Sequence, residues 1–253
     1  MPRGPRKKSA SGIYHIILRG INRQSIYEDD GDRKRFLLTL KRYKSSCGYS
    51  IYAYCLMDNH LHLLLREGEE PLEQILRRLA GSYVYWFNKK YDRTGNLFQD
   101  RYKSEPVEDD TYLLTVSRYI HQNPLKAGMV KNTEDYPWSS YHDYLGGKGV
   151  TDTGFILNIL DADRNAALRQ FRRFTAAANQ DKCLEIKEPG TKVTDDMLED
   201  MITKKYNLKA ARIGDEPREK MAAILREILK IDGVSTRQLV RVTGISAGII
   251  WRL

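Results

Sequence analysis

Two imidazoles stand one residue apart in the run Met57-Asp-Asn-His-Leu-His-Leu-Leu-Leu65, at His60 and His62. In an extended chain, side chains at i and i+2 share one face about 7 Å apart, while the residues between them face the other way. His60 and His62 can therefore converge on one metal ion or phosphate, with Leu61 and Leu63 anchoring the strand from behind. The competing reading is a buried strand whose two histidines are satisfied by their neighbours. A second pair, Tyr119 and Asn123, sits at i and i+4 of a helical stretch and so on one face of it. His121 is rotated from Tyr119 by about 200° and is expected to point away.

If that helix covers the histidine face of a sheet, two imidazoles and an amide oxygen form an incomplete ligand set. It suits a divalent ion such as Mg²⁺ or Mn²⁺ shared with a phosphate oxygen, whereas zinc prefers a third His, Cys or carboxylate. A phenol with a pKa near 10 is a poor nucleophile at neutral pH unless a metal polarises the phosphate or helps remove the proton. Such a site cleaves a phosphodiester by transesterification, keeping the bond energy as a phosphotyrosine. No clear carboxylate pair marks a hydrolase. With 16 tyrosines in the chain, Tyr119 alone reads more readily as a core residue, and the combination carries the reading.

The elements that must position these groups are legible from periodicity. Ile13–Arg19, with His15 on it as a structural histidine, reads as a strand closed by Gly20. Asp30–Ser46 reads as an amphipathic helix ending at Gly48. Ser50–Met57 and the histidine run form a hairpin around Asp58-Asn59, and Pro71 opens a helix through about Lys90. Arg101–Val107 is a fourth strand, placed at an edge by Pro106. A further helix begins at Asp109-Asp110 and is expected to stop or bend after Gln122 or Asn123, ahead of Pro124. The order β-α-β-β-α-β predicts an α+β, ferredoxin-like antiparallel sheet with helices packed on it.

Beyond this core, Thr151–Ala178 reads as helical and Lys187–Gly190 as a linker. Three or four helices follow, of which Thr236–Val242, a turn at Gly244 and Ser246–Leu253 have helix-turn-helix spacing. The expected organisation is a basic arm over 1–10, a catalytic domain over 11–147, a helical extension and linker over 148–188, and an all-helical C-terminal region over 189–253.

The chain of 253 residues carries 42 Lys and Arg against 33 Asp and Glu, a net charge of +9, so nucleic acid is the first partner to consider. No apolar run approaches the roughly 20 residues of a membrane span, and no signal segment follows the opening Met1–Lys8. The three cysteines lack Cys-x-x-Cys spacing, which fits a reducing cytosol. The arm is expected to stay mobile until an anion orders it.

Taken together, Tyr14-His-Ile-Ile-Leu-Arg-Gly20 with Asn22-Arg23, Met57-Asp-Asn-His-Leu-His-Leu-Leu64, Gly95-Asn-Leu-Phe-Gln-Asp-Arg-Tyr-Lys103, Arg118-Tyr-Ile-His-Gln-Asn-Pro-Leu-Lys-Ala-Gly128 and Tyr136-Pro-Trp-Ser-Ser-Tyr141 resemble the REP-associated tyrosine transposases, within the single-tyrosine HUH group. The marks occur in the family's order over roughly residues 11–146. The resemblance implies a ferredoxin-like core with His60 and His62 as metal ligands, Asn123 where a third polar ligand is placed, and Tyr119 forming a 5′-phosphotyrosine with single-stranded DNA. It also implies an imperfect palindromic hairpin flanked by a guide sequence as substrate. Asp58, where proline is frequent in the family, departs from the pattern at the turn.

By charge and placement, Arg3, Arg6, Lys7, Lys8, Arg19, Arg23, Arg101 and Lys103 are the candidate DNA contacts. The expectation is a cytoplasmic, nucleoid-associated bacterial strand transferase, acting as a monomer or homodimer with no membrane partner. The alternatives are a non-catalytic DNA-binding protein or repressor with the same fold, and a zinc hydrolase built on His-x-His.

Overall fold

A computed structural model describes residues 6–185, 193–231, 234–250 and 252. The chain divides into two compact units, residues 1–185 and 186–253. In the first, four antiparallel strands, β1 (Ile13–Arg19), β2 (Ser50–Leu56), β3 (His60–Arg66) and β4 (Lys103–Pro106), pair in the order β2-β3-β1-β4. With helices α1 (Asp30–Cys47) and α2 (Leu72–Lys90) in the connections, this is the ferredoxin-like arrangement read from the sequence.

Local chemistry sets the ends of these elements. Asp29 caps α1 by accepting from the Asp32 amide, Asp32 reciprocates, and Gly48 ends the helix at φ 68°, a conformation glycine adopts without a Cβ clash. The buried Asp32 carboxylate is also held by Lys90 and by the Tyr91 hydroxyl, tying the first helix to the end of the second. Strand alternation then divides the sheet. Leu61, Leu63 and Leu65 pack beneath α1 and α2 with Phe36, Leu40, Ile75, Leu79 and Tyr83. The even-numbered residues of β3 face the other way, toward α3 (Asp110–Lys126). Each fully buried leucine contributes on the order of 1.5–3 kcal/mol, so a one-residue slip of β3 would exchange three such residues for the histidines and is excluded.

Three expectations need correction. α3 does not stop at Gln122 or Asn123 but continues through Pro124 to Lys126. In the last turn the proline forfeits one amide bond, while Ala127 still donates to the Asn123 carbonyl, so the helix survives. The stretch from Thr151 to Ala178 is two helices, α5 (Thr153–Leu160) and α6 (Arg164–Ala176), separated where Asp163 starts a new N-cap; the short α4 (Tyr141–Tyr144) precedes them. The basic arm, as far as it is described, is laid down by an internal anion. The Glu108 carboxylate accepts from the amides of Ala10 and Ser11 and from the Ser9 hydroxyl, and Arg6 stacks 3.8 Å from the Tyr102 ring centroid.

The second unit contains α7 (Asp195–Tyr206), a 3₁₀ turn at Ala210–Asp215, α8 (Arg218–Leu229), α9 (Thr236–Thr243) and the short α10 (Ala247–Ile250). They enclose their own core of Leu198, Ile202, Ile213, Leu225, Ile228 and Leu239. Ser235 caps α9 and Gly244 ends it at φ 72°, so the predicted turn falls there. The linker read at Lys187–Gly190 lies outside the described residues. Among the described residues no helix is long and apolar enough to cross a membrane.

Candidate active site

The site is built on β3, the neighbouring β1 and the helix laid across them. Ile17 of β1 stands opposite His62 and Arg19 opposite His60. Residues directly opposite each other on paired strands share a face, so the odd-numbered His15, Ile17 and Arg19 of β1 are presented to the same side as the even-numbered His60 and His62 of β3. There α3, started by the Asp109 cap on the Tyr112 amide, brings Tyr119 down over the sheet. The Tyr119 ring lies 5.8 Å from the ring of His62 and 5.8 Å from that of His15, edge-on to both.

The two histidines of the His-x-His pair stand 5.1 Å apart, with ring planes at 76°. Each has its Nδ1 engaged. His60 Nδ1 meets Asn59 Oδ1 at 2.7 Å, and His62 Nδ1 meets His15 Nε2 at 3.0 Å. His15 and His62 are stacked at 26° and buried. Burial drives the pKa of His15 down to about 3 and, with the neighbouring His15 and His60 adding to it, holds that of His62 well below 6.5, so both rings are neutral. His15 was expected to be a satisfied structural histidine; instead it touches the site, and its Nδ1 has no hydrogen-bond partner among the described residues. An orphaned polar atom of this kind costs on the order of 1–3 kcal/mol.

Asn123, one turn along from Tyr119, donates from Nδ2 to the Tyr119 carbonyl at 3.3 Å. The Tyr119 hydroxyl donates to Glu185 Oε1 at 3.2 Å, and Lys126 Nζ lies 5.2 Å from the ring centroid. Burial first, and then the negative charge of Glu185, push the phenol above its ordinary pKa, with the Asn123 hydrogen bond opposing the shift. Glu185 ends a segment fastened along α3. Asp181 forms a bidentate pair with Arg118 at 2.8 Å, Asn179 donates to Gln122 at 2.7 Å, and the Leu184 amide donates to Glu105 at 3.0 Å. His121 points away from the site and is enclosed by Ser140, Tyr141, Tyr144 and Phe171.

Sequence reasoning gave His15 a structural role and gave Asn59 and Glu185 no part in the site. A signal existed for the first two: Asn59 adjoins the pair, and His15 shares strand parity with residues facing it once β1 and β3 are neighbours. Glu185 carries none, being 66 residues from Tyr119 in an irregular segment.

The predicted DNA contacts fall in different places. Arg19 is opposite His60, and Lys103, opposite Ile17, lies on the same sheet face. Arg23 follows Gly20 in a left-handed turn at φ 63°, Arg101 precedes β4, and Lys7 and Lys8 are exposed on the arm. Arg6 is spent on Tyr102, and Arg3 lies outside the described residues.

Residues 8–123 match the family model described as "Transposase IS200 like", a span that takes in the sheet, the histidine strand and α3 as far as Asn123. The name of the family that the sequence motifs resemble, REP-associated tyrosine transposase, is carried by two relatives. A protein of Haemophilus influenzae, named provisionally as a REP-associated tyrosine transposase, is 30% identical over 115 residues, which are 40% of this chain and 65% of that one. The REP-associated tyrosine transposase of Escherichia coli is 25% identical over 96 residues, 37% of this chain and 55% of that one. The chain thus spans less than two thirds of the length of these relatives. The solved structure of a REP-associated tyrosine transposase bound to a REP hairpin superposes with a TM-score of 0.50 at 19% identity, covering 61% of this chain and 96% of that one, which establishes the shared fold.

Proposed function

We propose that this chain is a metal-dependent endonuclease and strand transferase of single-stranded, hairpin-forming DNA, working through a 5′-phosphotyrosine on Tyr119. One observation carries the reading: the Tyr119 ring sits 5.8 Å from the ring of His62 on the single sheet face that also presents His60. The family match over residues 8–123 and the hairpin bound by a protein of the same fold support the substrate class.

The residues fit a divalent ion that the chain binds with coordination positions left open for a phosphate. Among the described residues no three His, Cys, Asp or Glu side chains are grouped to hold a metal by themselves. The donors are instead the imidazoles of His60 and His62, the latter held neutral by burial, and the Asn123 amide, a set that leaves positions and charge for a phosphate oxygen. With both Nδ1 atoms engaged, His60 and His62 would ligate through Nε2. Bound there, Mg²⁺ or Mn²⁺ would polarise the phosphate and ease loss of the phenolic proton.

The protein's own residues do the rest. Tyr119 Oη attacks phosphorus, the bond to the 3′ oxygen breaks, the phenolic proton leaves, and the departing 3′ oxygen takes one up as a free hydroxyl. The ester energy is kept in the phosphotyrosine, so rejoining is the same reaction reversed. Glu185 holds the attacking hydroxyl in this structure and must yield it to the DNA phosphate. Arg19 and Lys103, on the same face, are placed to hold the phosphate backbone, with Arg23, Arg101, Lys7 and Lys8 contacting flanking DNA. The division into a catalytic region over 11–147 and a helical C-terminal region over 189–253 belongs to the same proposal.

The test incubates the full chain with a labelled hairpin oligonucleotide and Mn²⁺. We expect an adduct that survives SDS and is absent with Tyr119→Phe. Formation of the same adduct by Tyr119→Phe excludes Tyr119 as nucleophile. Tight hairpin binding without cleavage under any divalent ion makes the protein a non-catalytic binder.

A further inference from the structure

His15 has no part in the chemistry above, yet it is buried against a residue that does. Its Nε2 lies 3.0 Å from His62 Nδ1, the rings are stacked at 26° with centroids 5.2 Å apart, and both side chains are sealed from solvent between the sheet and α3. The partner of the other imidazole offers a comparison. Asn59 Oδ1, an amide oxygen, can only accept, so His60 Nδ1 carries a proton, and in the neutral ring Nε2 carries the lone pair that a metal needs. His62 has no such unambiguous partner. A neutral imidazole across a 3.0 Å contact can either donate or accept, and the two choices have opposite consequences for His62.

If His15 donates from Nε2, His62 Nδ1 holds the lone pair, its proton moves to Nε2, and it cannot ligate. If His15 accepts at Nε2, His62 Nδ1 bears the proton and Nε2 is presented as a ligand. His15 then carries its own proton on Nδ1, the buried atom that lacks a hydrogen-bond partner. Both rings are buried, with their planes within 26° of each other.

We propose that His15 is the positioning residue of the metal site: by accepting a hydrogen bond from His62 Nδ1–H it fixes that ring's tautomer and orientation, as Asn59 does for His60. The inference rests on the metal reading of the preceding section. Metal binding selects the accepting form of His15, which gives a role to an imidazole whose Nδ1 has no hydrogen-bond partner among the described residues, on a strand that also carries Ile13, Ile16, Ile17 and Leu18. Loss of an outer partner of a ligating histidine lowers metal affinity by about 10- to 100-fold.

The experiment titrates Mn²⁺ into the full-length chain without DNA, following free Mn²⁺ by electron paramagnetic resonance. His15→Phe keeps a flat ring and removes the acceptor; His15→Gln places an amide oxygen near the position of Nε2. We expect His15→Phe to weaken Mn²⁺ binding by about 10- to 100-fold and His15→Gln to restore most of the loss. Both variants should bind the hairpin in EDTA like the parent. A purely structural role would lower both variants alike and would also lower hairpin binding in EDTA. Equal Mn²⁺ affinity in His15→Phe and the parent, or an equal loss in Phe and Gln, overturns the inference while leaving the metal reading intact. Absence of saturable Mn²⁺ binding by the parent, or unchanged binding in His60→Ala, removes the metal reading and this inference together. If His15→Phe does not fold, ¹⁵N imidazole shifts of the Mg²⁺-saturated parent decide: a proton on His62 Nδ1 supports the proposal, and a proton on Nε2 sinks it.

Discussion

The two faces of the central sheet are cut from the same strands and are both buried, yet they differ in kind. Beneath α1 and α2 the contacts are those of Leu61, Leu63 and Leu65 with Phe36, Leu40, Ile75 and Tyr83. Beneath α3, Leu64, Val116 and Ile120 share the space with three imidazoles and a phenol. The first face supplies stability without chemical specificity. The second accepts unpartnered atoms, such as His15 Nδ1, and pKa displacements that a purely apolar filling would avoid. Strand alternation lets one face compensate for the other, because every residue of β3 is assigned to one task by parity alone.

Substitutions across the two faces can break this contrast. The largest expected effect is on activity: His62→Ala should abolish adduct formation by the folded protein with the labelled hairpin, while costing only about 1–3 kcal/mol of stability in denaturant, from the orphaned His15 Nε2. A large loss of stability with cleavage retained would reverse the assignment of the two faces. Next, Leu63→Ala on the opposite face should cost about 2–5 kcal/mol of stability, measured by urea unfolding, with hairpin cleavage by the folded fraction unchanged.

Acid should expose the second face first. His15 and His121 have pKa values of about 3 in the fold because burial disfavours their charged forms, against about 6.5 when unfolded. Below about pH 6.5 the unfolded chain binds more protons, so the stability these residues contribute is complete above that pH. It is lost progressively as pH falls toward about 3, at up to ~1.4 kcal/mol per pH unit for each histidine. Unfolding midpoints measured between pH 7 and 4 should therefore fall more steeply in the parent than in His121→Phe; identical slopes would show that His121 does not titrate on unfolding.

The smallest effect concerns Glu185. Removing its charge with Glu185→Gln should raise the rate of adduct formation a few-fold, since the carboxylate both raises the Tyr119 pKa and occupies the hydroxyl that phosphate must reach. A slower reaction would instead make Glu185 the acceptor of the phenolic proton.

Much of the fold was legible because its signals are local. Asp29 and Gly48 bracket α1, Pro71 opens α2, and alternation marks β3, all within a few residues of the structure they specify. The misreadings came from competition between local rules and particular contacts. Pro124 is a helix stop by propensity but falls in a last turn that tolerates it, and the basic arm reads as mobile until Glu108, 98 residues from Ala10, supplies its anion.

By itself the sequence determined that His60 and His62 share a face and that Tyr119 and Asn123 share another, because periods of 2 and 3.6 residues are properties of the backbone. It also carried the motifs that pointed to the family. Only the tertiary structure decided that these two faces meet, that His15 stands behind His62 across 47 residues, and that Glu185 reaches Tyr119 across 66. Such contacts follow from strand order and from the path of a segment along α3, which no local periodicity encodes.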